Sequence, residues 1–153
     1  MYHETLGEIT REEESGEGVA TVGYGSRRVE VRIVPDDQAF ETLLAVAAEV
    51  VARLGKLDSA ARRTAAEELT DTYNTTWRMY DEVQSNGSMK AVTNPPLSVG
   101  EFEAKLSLAA IDVEGSGTVS LSYDDEGMFW GHIVVVSSRR GADFTDPEVG
   151  LVG

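Results

Sequence analysis

The sequence contains no cysteine among its 153 residues. This absence excludes disulfide bonds, thiolate zinc sites, iron–sulfur clusters and cysteine nucleophiles. Long hydrophobic runs are also missing. The longest are "LLAVAAEVVARL" and "HIVVVSS", and a helix needs roughly 20 apolar residues to cross a bilayer. We therefore expect no membrane-spanning segment.

Basic residues are scarce. The chain has 13 Lys and Arg against 27 Asp and Glu, which gives a formal net charge of −14. Because recognition of phosphate depends on Lys and Arg, we expect no binding to nucleic acid or to anionic membranes. Two interpretations of the acidic charge stay open. It either keeps the protein soluble or steers a basic partner protein towards it.

The N-terminal stretch "MYHETLGEITREEE" has no basic segment followed by an apolar one. We therefore expect no signal peptide. A cytoplasmic location in a bacterium-like cell is the resulting prediction, and a chain without cysteine is compatible with a reducing compartment.

Residues 1–80 predict a strand hairpin followed by a helical hairpin. Apolar residues alternate with polar ones on both sides of a glycine-rich cluster within residues 19–33, which is typical of an antiparallel hairpin. From residue 40 to 54 they recur at intervals of three and four, as in an amphipathic helix that Gly55 would end. The short turn "GKLD" then predicts a second helix antiparallel to the first.

Residues 81–97, "DEVQSNGSMKAVTNPPL", have few large apolar side chains, an Asn-Gly pair and a Pro-Pro pair. They predict a mobile loop or linker. Within 98–153, Ser98 and Glu101 fit a capping box that starts a short helix, and a three-strand meander and an irregular tail follow. We expect one α+β domain over 1–153, with antiparallel strands at the N-terminus and a C-terminal three-strand meander. A helical hairpin and one short helix pack against them.

The acids of "YDDEGMFWGH", residues 123–132, could mark a site or a turn. Asp124, Asp125 and Glu126 are consecutive, so their side chains diverge and cannot all reach one cation. Followed by Gly127, they favour a reverse turn. We therefore predict no metal site at these residues.

The second half of this stretch, "MFWGH", is predicted to begin a strand with apolar residues on both faces, covered on both sides. His132 would then share a face with Trp130 and Val134. It is either a structural histidine, hydrogen-bonded beneath the sheet, or a general base or ligand. No nucleophile or phosphate-binding motif accompanies it. We predict no catalytic residue and no cofactor, and retain His132, Trp130, Asp124 and Asp125 as candidate binding residues.

A third group of candidates lies in "YNTTW" at the end of the second helix. Tyr73 and Trp77 combine large apolar area with a polar atom and can form a ligand platform. The alternative is that both rings fill the core where the chain turns away from the helix.

The chain as a whole resembles the uncharacterised bacterial domain-of-unknown-function family numbered 2262. The segments that show this resemblance are "LGEIT", "AAEELTDTYNTTW" and "LSVGEFEAKLSLAAIDVEGSGTVSLSYDDEGMFWGHIVVVS", followed by the glycine-terminated "EVGLVG". The resemblance implies a single-domain α+β protein and supplies no catalytic residues.

Three functional hypotheses result. The first is a non-catalytic cytoplasmic binding protein, in one form an immunity-type inhibitor that uses its acidic surface against a basic toxin. The second is a small enzyme or metal-binding protein with a site around His132, Asp124, Asp125 and Glu126. The third is a self-associating structural module.

Overall fold

A computed structural model describes residues 1–153. The helices and strands follow one another along the chain with these bounds: β1 (Tyr2–His3), β2 (Gly7–Glu8), β3 (Thr10–Arg11), β4 (Gly18–Tyr24), β5 (Arg27–Val34), α1 (Phe40–Ala52), α2 (Leu54–Thr72), a π-helical turn (Tyr73–Trp77), β6 (Met79–Val83), β7 (Met89–Thr93), α3 (Val99–Ala104), β8 (Ser107–Glu114), β9 (Val119–Asp124), β10 (Ile133–Ser138), a 3-10 turn (Gly141–Asp143) and β11 (Glu148–Val152). No helix has the length and apolar character required to cross a membrane.

A seven-stranded sheet with the order β11-β10-β9-β8-β5-β4-β3 organises the chain. Its strands pair antiparallel except β5 and β8, which are parallel, with Val31 opposite Ile111. The α+β class, the N-terminal hairpin, the helical hairpin and the C-terminal meander are therefore confirmed. The sequence did not indicate that one parallel pair joins the two strand regions into a single sheet.

One face of this sheet carries the core. Val29, Val31 and Ile33 of β5 are buried and alternate with exposed neighbours, because successive side chains of a strand point to opposite faces. Helix α1 contacts β5 and β8 with the apolar stripe that the sequence predicts, including Phe40 and Val50. Each large apolar side chain buried in this way contributes about 1.5–3 kcal/mol.

The junction between the first two helices differs from the prediction. Gly55 does not end α1, and "GKLD" is not a turn, because α1 ends at Ala52 and α2 begins at Leu54. Leu54 and Leu57 are both buried. Their burial, at about 1.5–3 kcal/mol each, outweighs the roughly 1 kcal/mol that a glycine costs inside a helix.

Most of the segment 81–97, predicted as a mobile loop or linker, belongs to a regular hairpin. Strands β6 and β7 form a separate two-stranded sheet, with Met79 opposite Thr93 and Val83 opposite Met89. The Asn-Gly pair lies in its turn, where Gly87 has φ of 84°. The low apolar content that suggested a linker instead reflects a hairpin whose two faces are mostly exposed. We call the hairpin Met79–Thr93 the arm.

The C-terminal tail is not irregular, since β11 adds an edge strand to β10. Val149 and Leu151 of β11 are half-buried and pack against the core. This packing holds the short strand at the edge of the sheet. Strand β10 has one buried face, formed by Val134, Val136 and Ser138. The prediction that both of its faces are covered is therefore wrong.

A buried carboxylate connects α2 to the sheet. Asp58 is only 4% exposed. It accepts hydrogen bonds from the hydroxyls of Tyr24 on β4 and Tyr123 on β9, both at 2.8 Å, and from the Nε–H of Arg62 at 3.2 Å. Because these partners satisfy the carboxylate, its burial is tolerated.

Replacing Tyr123 with Phe is expected to destabilise the fold by about 1.5–3 kcal/mol, the usual range for a hydrogen bond to a charged group. Tyr24→Phe removes the other phenol hydrogen bond to Asp58. Because Tyr24 is more exposed, this change should lower the free energy of unfolding by less. Urea unfolding of both variants measures the difference. An equal or larger loss in Tyr24→Phe would contradict this account of the Asp58 contacts.

Alkaline pH should weaken the fold through the same two phenols. Burial, reinforced by the Asp58 carboxylate, raises the pKa of Tyr123 and of Tyr24 above the ordinary value of 10.0. The folded state therefore retains protons that the unfolded chain releases, and stability should fall as pH rises above about 10. Free energies of unfolding measured between about pH 9 and pH 11 should fall less steeply in Tyr123→Phe. An unchanged slope would show that Tyr123 does not contribute to this pH dependence.

Candidate functional site

The connection between β9 and β10 is a loop over residues 125–132. The predicted reverse turn is present, since the N–H of Met128 donates to the carbonyl oxygen of Asp125 at 3.2 Å, but the loop continues beyond this turn instead of passing into a strand at Met128. Four of its residues have positive φ: Glu126 (56°), Gly127 (80°), Trp130 (54°) and Gly131 (92°). Left-handed backbone interrupts an extended strand, so β10 starts at Ile133. The prediction that His132, Trp130 and Val134 share one strand face is therefore wrong.

The three consecutive acids at the end of β9 and the start of this loop have different surroundings. Asp124 is exposed, accepts the backbone N–H of Glu126 at 3.0 Å and lies 3.8 Å from Arg27. Asp125 is 5% exposed, whereas Glu126 is exposed and forms neither an ion pair nor a side-chain hydrogen bond. No group of three or more His, Asp or Glu side chains is placed to hold a metal ion.

Asp125 has a structural position inside the loop. Its carboxylate accepts the backbone N–H groups of Gly127 at 3.0 Å and Phe129 at 3.3 Å. Burial raises the pKa of Asp125, and the two N–H groups oppose this shift because they stabilise the charged form. The side chain therefore stabilises the loop conformation.

The π-helical turn Tyr73–Trp77 lies next to this loop. Its wider winding is shown by the N–H of Arg78, which donates to the carbonyl oxygen of Tyr73 at 3.1 Å. Asn74 connects the turn to the segment before α3, since its side-chain amide donates to and accepts from the backbone of Leu97, both at 2.8 Å. Turns of this kind are frequent at functional sites.

Trp130 joins the loop to the π-helical turn. Its indole N–H donates to the carbonyl oxygen of Trp77 at 3.1 Å, and the two ring centroids are 4.6 Å apart. A left-handed conformation costs a bulky residue about 1–3 kcal/mol, and this contact offsets part of that cost. Nevertheless 53% of Trp130 is exposed. Strained residues held by their surroundings cluster at functional sites.

A cluster of buried aromatic rings lies beneath Trp77 and Trp130. Tyr73, Phe102 and Phe129 are buried and meet edge to face, with centroids 5.9–6.3 Å apart. Trp77 packs on Phe129 at 5.3 Å and is half-buried. Tyr73 thus belongs to the core, while Trp77 reaches from the core to the surface.

Two clefts flank the loop, and the predicted site residues divide between them. The first, which we call the aromatic cleft, has a volume of about 490 Å³ and is lined by Tyr73, Trp77, Tyr80, Asn94, Pro95, Leu97, Lys105, Glu126, Gly127, Met128 and Trp130. The second has about 520 Å³ and is lined by Ala109, Ala110, Ser122, Tyr123, Asp124, Asp125, Gly127, Gly131, His132 and Ile133.

His132 therefore lies apart from the aromatic cleft. It is half-exposed and meets Trp77 edge to face at 5.6 Å. It is not hydrogen-bonded beneath the sheet, because β10 begins only at the following residue. Of the predicted combination, Asp124, Asp125 and His132 line the second cleft together, whereas Glu126 lines the aromatic cleft.

Sequence reasoning missed Tyr80, Asn94 and Lys105 as residues of the aromatic cleft. Tyr80 is the second residue of the arm, and Asn94 directly follows its last residue. The sequence does contain a signal for the arm. Asn86-Gly87 lies between "MYDEV" and "MKAVT", and an Asn-Gly pair between two runs that contain Val is typical of a hairpin. Arg78 fixes the base of the arm by donating to the carbonyl oxygen of Asn94 at 2.9 Å.

Comparison with known families decides the assignment. A family model described as an uncharacterized protein conserved in bacteria, DUF2262, matches residues 3–149. The chain belongs to the DUF2262 family. The match includes all of the DUF2262 aromatic cleft and the arm. No curated protein and no solved structure matches the chain.

Replacing Asp125 with Ala is expected to destabilise this DUF2262 protein by about 1–3 kcal/mol, because a buried N–H would lose its acceptor. Asp124→Ala is the matched control, since it also removes an acceptor of a backbone N–H but at an exposed position, where the loss of stability should be smaller. Urea unfolding compares the two. Equal losses would show that the Asp125 contacts do not hold the loop.

Proposed function

We propose that this DUF2262 protein is a non-catalytic binding module that holds a basic partner protein with the arm and the aromatic cleft. The specific form of the proposal is an immunity-type protein that neutralises a basic toxin by binding it. The proposal includes the cytoplasmic location expected from the sequence.

The exposed apolar side chains of the arm carry this proposal. The pairing register puts Met79, Val83 and Met89 on one face, where Val83 is 67% and Met89 59% exposed. Tyr80 on the other face lines the aromatic cleft beside Trp130. Trp, Tyr and Met are enriched in the cores of protein interfaces.

The separation of the arm from the main sheet supports the same function. An isolated two-stranded hairpin is at best marginally stable in water. Here both faces of the arm are mostly exposed, and it forms no sheet with the other strands. A partner that covers Val83 and Met89 would stabilise it.

Charge favours a basic partner. The arm carries Asp81 and Glu82 against one base, Lys90, and the chain has a net charge of −14. Acidic surface of this kind accelerates association with a basic protein and repels acidic ones.

The test is affinity capture from the native organism with the wild type and with Val83→Ser/Met89→Ser. We expect a basic protein that the wild type retains, and whose affinity for the double variant is at least about tenfold lower. Val19→Ser/Val152→Ser is the control, because it removes exposed valines outside the arm.

Ionic strength supplies a second measurement on the same complex. The association rate should fall steeply with added salt, because charge steering is screened. A partner that binds both double variants equally, or whose association rate is indifferent to salt, would contradict the proposal. Sedimentation as a stable oligomer without a partner would favour self-association instead.

A further inference from the structure

We propose that the aromatic cleft is a recognition site for an arginine side chain of the basic partner. This inference rests on the proposed function and names the chemical group that the cleft takes. Trp130 and Tyr80 supply the aromatic walls, and Glu126 supplies the carboxylate.

Trp130 presents a fixed aromatic surface. Its indole N–H is bonded to the carbonyl oxygen of Trp77, and its ring packs against that of Trp77. More than half of the side chain still faces solvent. A cation over the face of a tryptophan is attracted by the ring quadrupole, and the planar guanidinium of arginine also stacks on such a ring.

Glu126 provides the counter-charge. Its carboxylate has no ion-pair partner in the fold, so it can accept the N–H groups of a guanidinium. A guanidinium binds a carboxylate through two parallel hydrogen bonds, which a lysine ammonium cannot form. An aromatic wall beside an unpaired carboxylate therefore favours arginine over lysine.

Lys105 also lines the aromatic cleft and opposes a cationic ligand. It reduces the affinity for arginine without reversing the preference, because the aromatic rings, Glu126 and the net charge of −14 all favour a cation. The two charged residues should consequently act with opposite signs on the same ligand.

The volume of the cleft, about 490 Å³, falls within the range of sites that bury a small ligand. This space accommodates an arginine side chain and its flanking backbone. Asn94, which lines the same cleft, provides polar groups for that backbone.

Intrinsic fluorescence gives a site-specific test, because the chain has two tryptophans and both line this cleft. The probe is N-acetyl-arginine amide, titrated at constant ionic strength, and we expect a saturable change in emission. The neutral isostere N-acetyl-citrulline amide should produce none, and N-acetyl-lysine amide should bind more weakly than the arginine probe.

Single substitutions show which side chains of the aromatic cleft bind the arginine probe. Glu126→Gln should weaken arginine binding about two- to fivefold and Lys105→Gln should strengthen it by a similar factor, as for exposed ion pairs. Trp130→Ala should weaken it about three- to thirtyfold, with Trp77 as the remaining reporter. Glu14→Gln removes one negative charge outside the cleft and should leave binding unchanged. Circular dichroism verifies that each variant is folded.

Several results would overturn the inference. These are equal binding of the citrulline or lysine probe, tighter binding of N-acetyl-glutamate amide, or weakening by Lys105→Gln. If the arginine probe fails while capture of a partner still depends on Val83 and Met89, this inference is wrong and the proposed function stands. If the probe binds as described but no arm-dependent partner exists, the proposed function fails and the arginine site remains.

Discussion

The buried carboxylate of Asp58 is the constraint on which the rest of the structure depends. It lies on α2 and binds Tyr24 of β4 and Tyr123 of β9, so one residue fixes the helix against strands from both ends of the sequence. Removing a partner from a buried charge costs far more than the pair contributes net. The position of α2 on the sheet is consequently well determined, and with it the place where the helix ends.

The end of α2 determines where the candidate site forms. The helix passes directly into the π-helical turn, which brings Trp77 next to the loop between β9 and β10. Tyr123, the β9 residue bound to Asp58, stands two residues before Asp125, whose contacts hold that loop. The same scaffold therefore places both the Trp77 carbonyl and the strained Trp130 that donates to it.

The parts of this fold that sequence patterns predict are the local ones. The β4–β5 hairpin, the apolar stripe of α1 and the capping box at Ser98 are encoded within a few residues. The predicted position of the α1–α2 junction was wrong. Burial of Leu54 is a tertiary effect, and it outweighs the local preference of Gly55 for ending a helix. The parallel pairing of β5 with β8 joins residues about 80 positions apart, and a local pattern carries no information on it.

The candidate site was less predictable for the same physical reason. The sequence drew attention to Asp124, Asp125 and His132, whereas the exposed aromatic surface depends on a left-handed Trp130 held by a distant carbonyl group. Composition alone predicts a linker where the arm lies, because a hairpin exposed on both faces and a mobile loop have similar composition. Tyr73 and Trp77 were recognised, but only the structure separates a core residue from one that reaches the surface.

If a basic partner covers the arm, as we propose, amide hydrogen exchange in the arm should respond to that partner. In the free protein the amides of β6 and β7 should exchange much faster than those of β4 and β5, since an isolated hairpin opens readily. Adding the captured partner should slow exchange in the arm and leave β4 and β5 unchanged. An arm whose exchange does not respond to a bound partner would contradict the account.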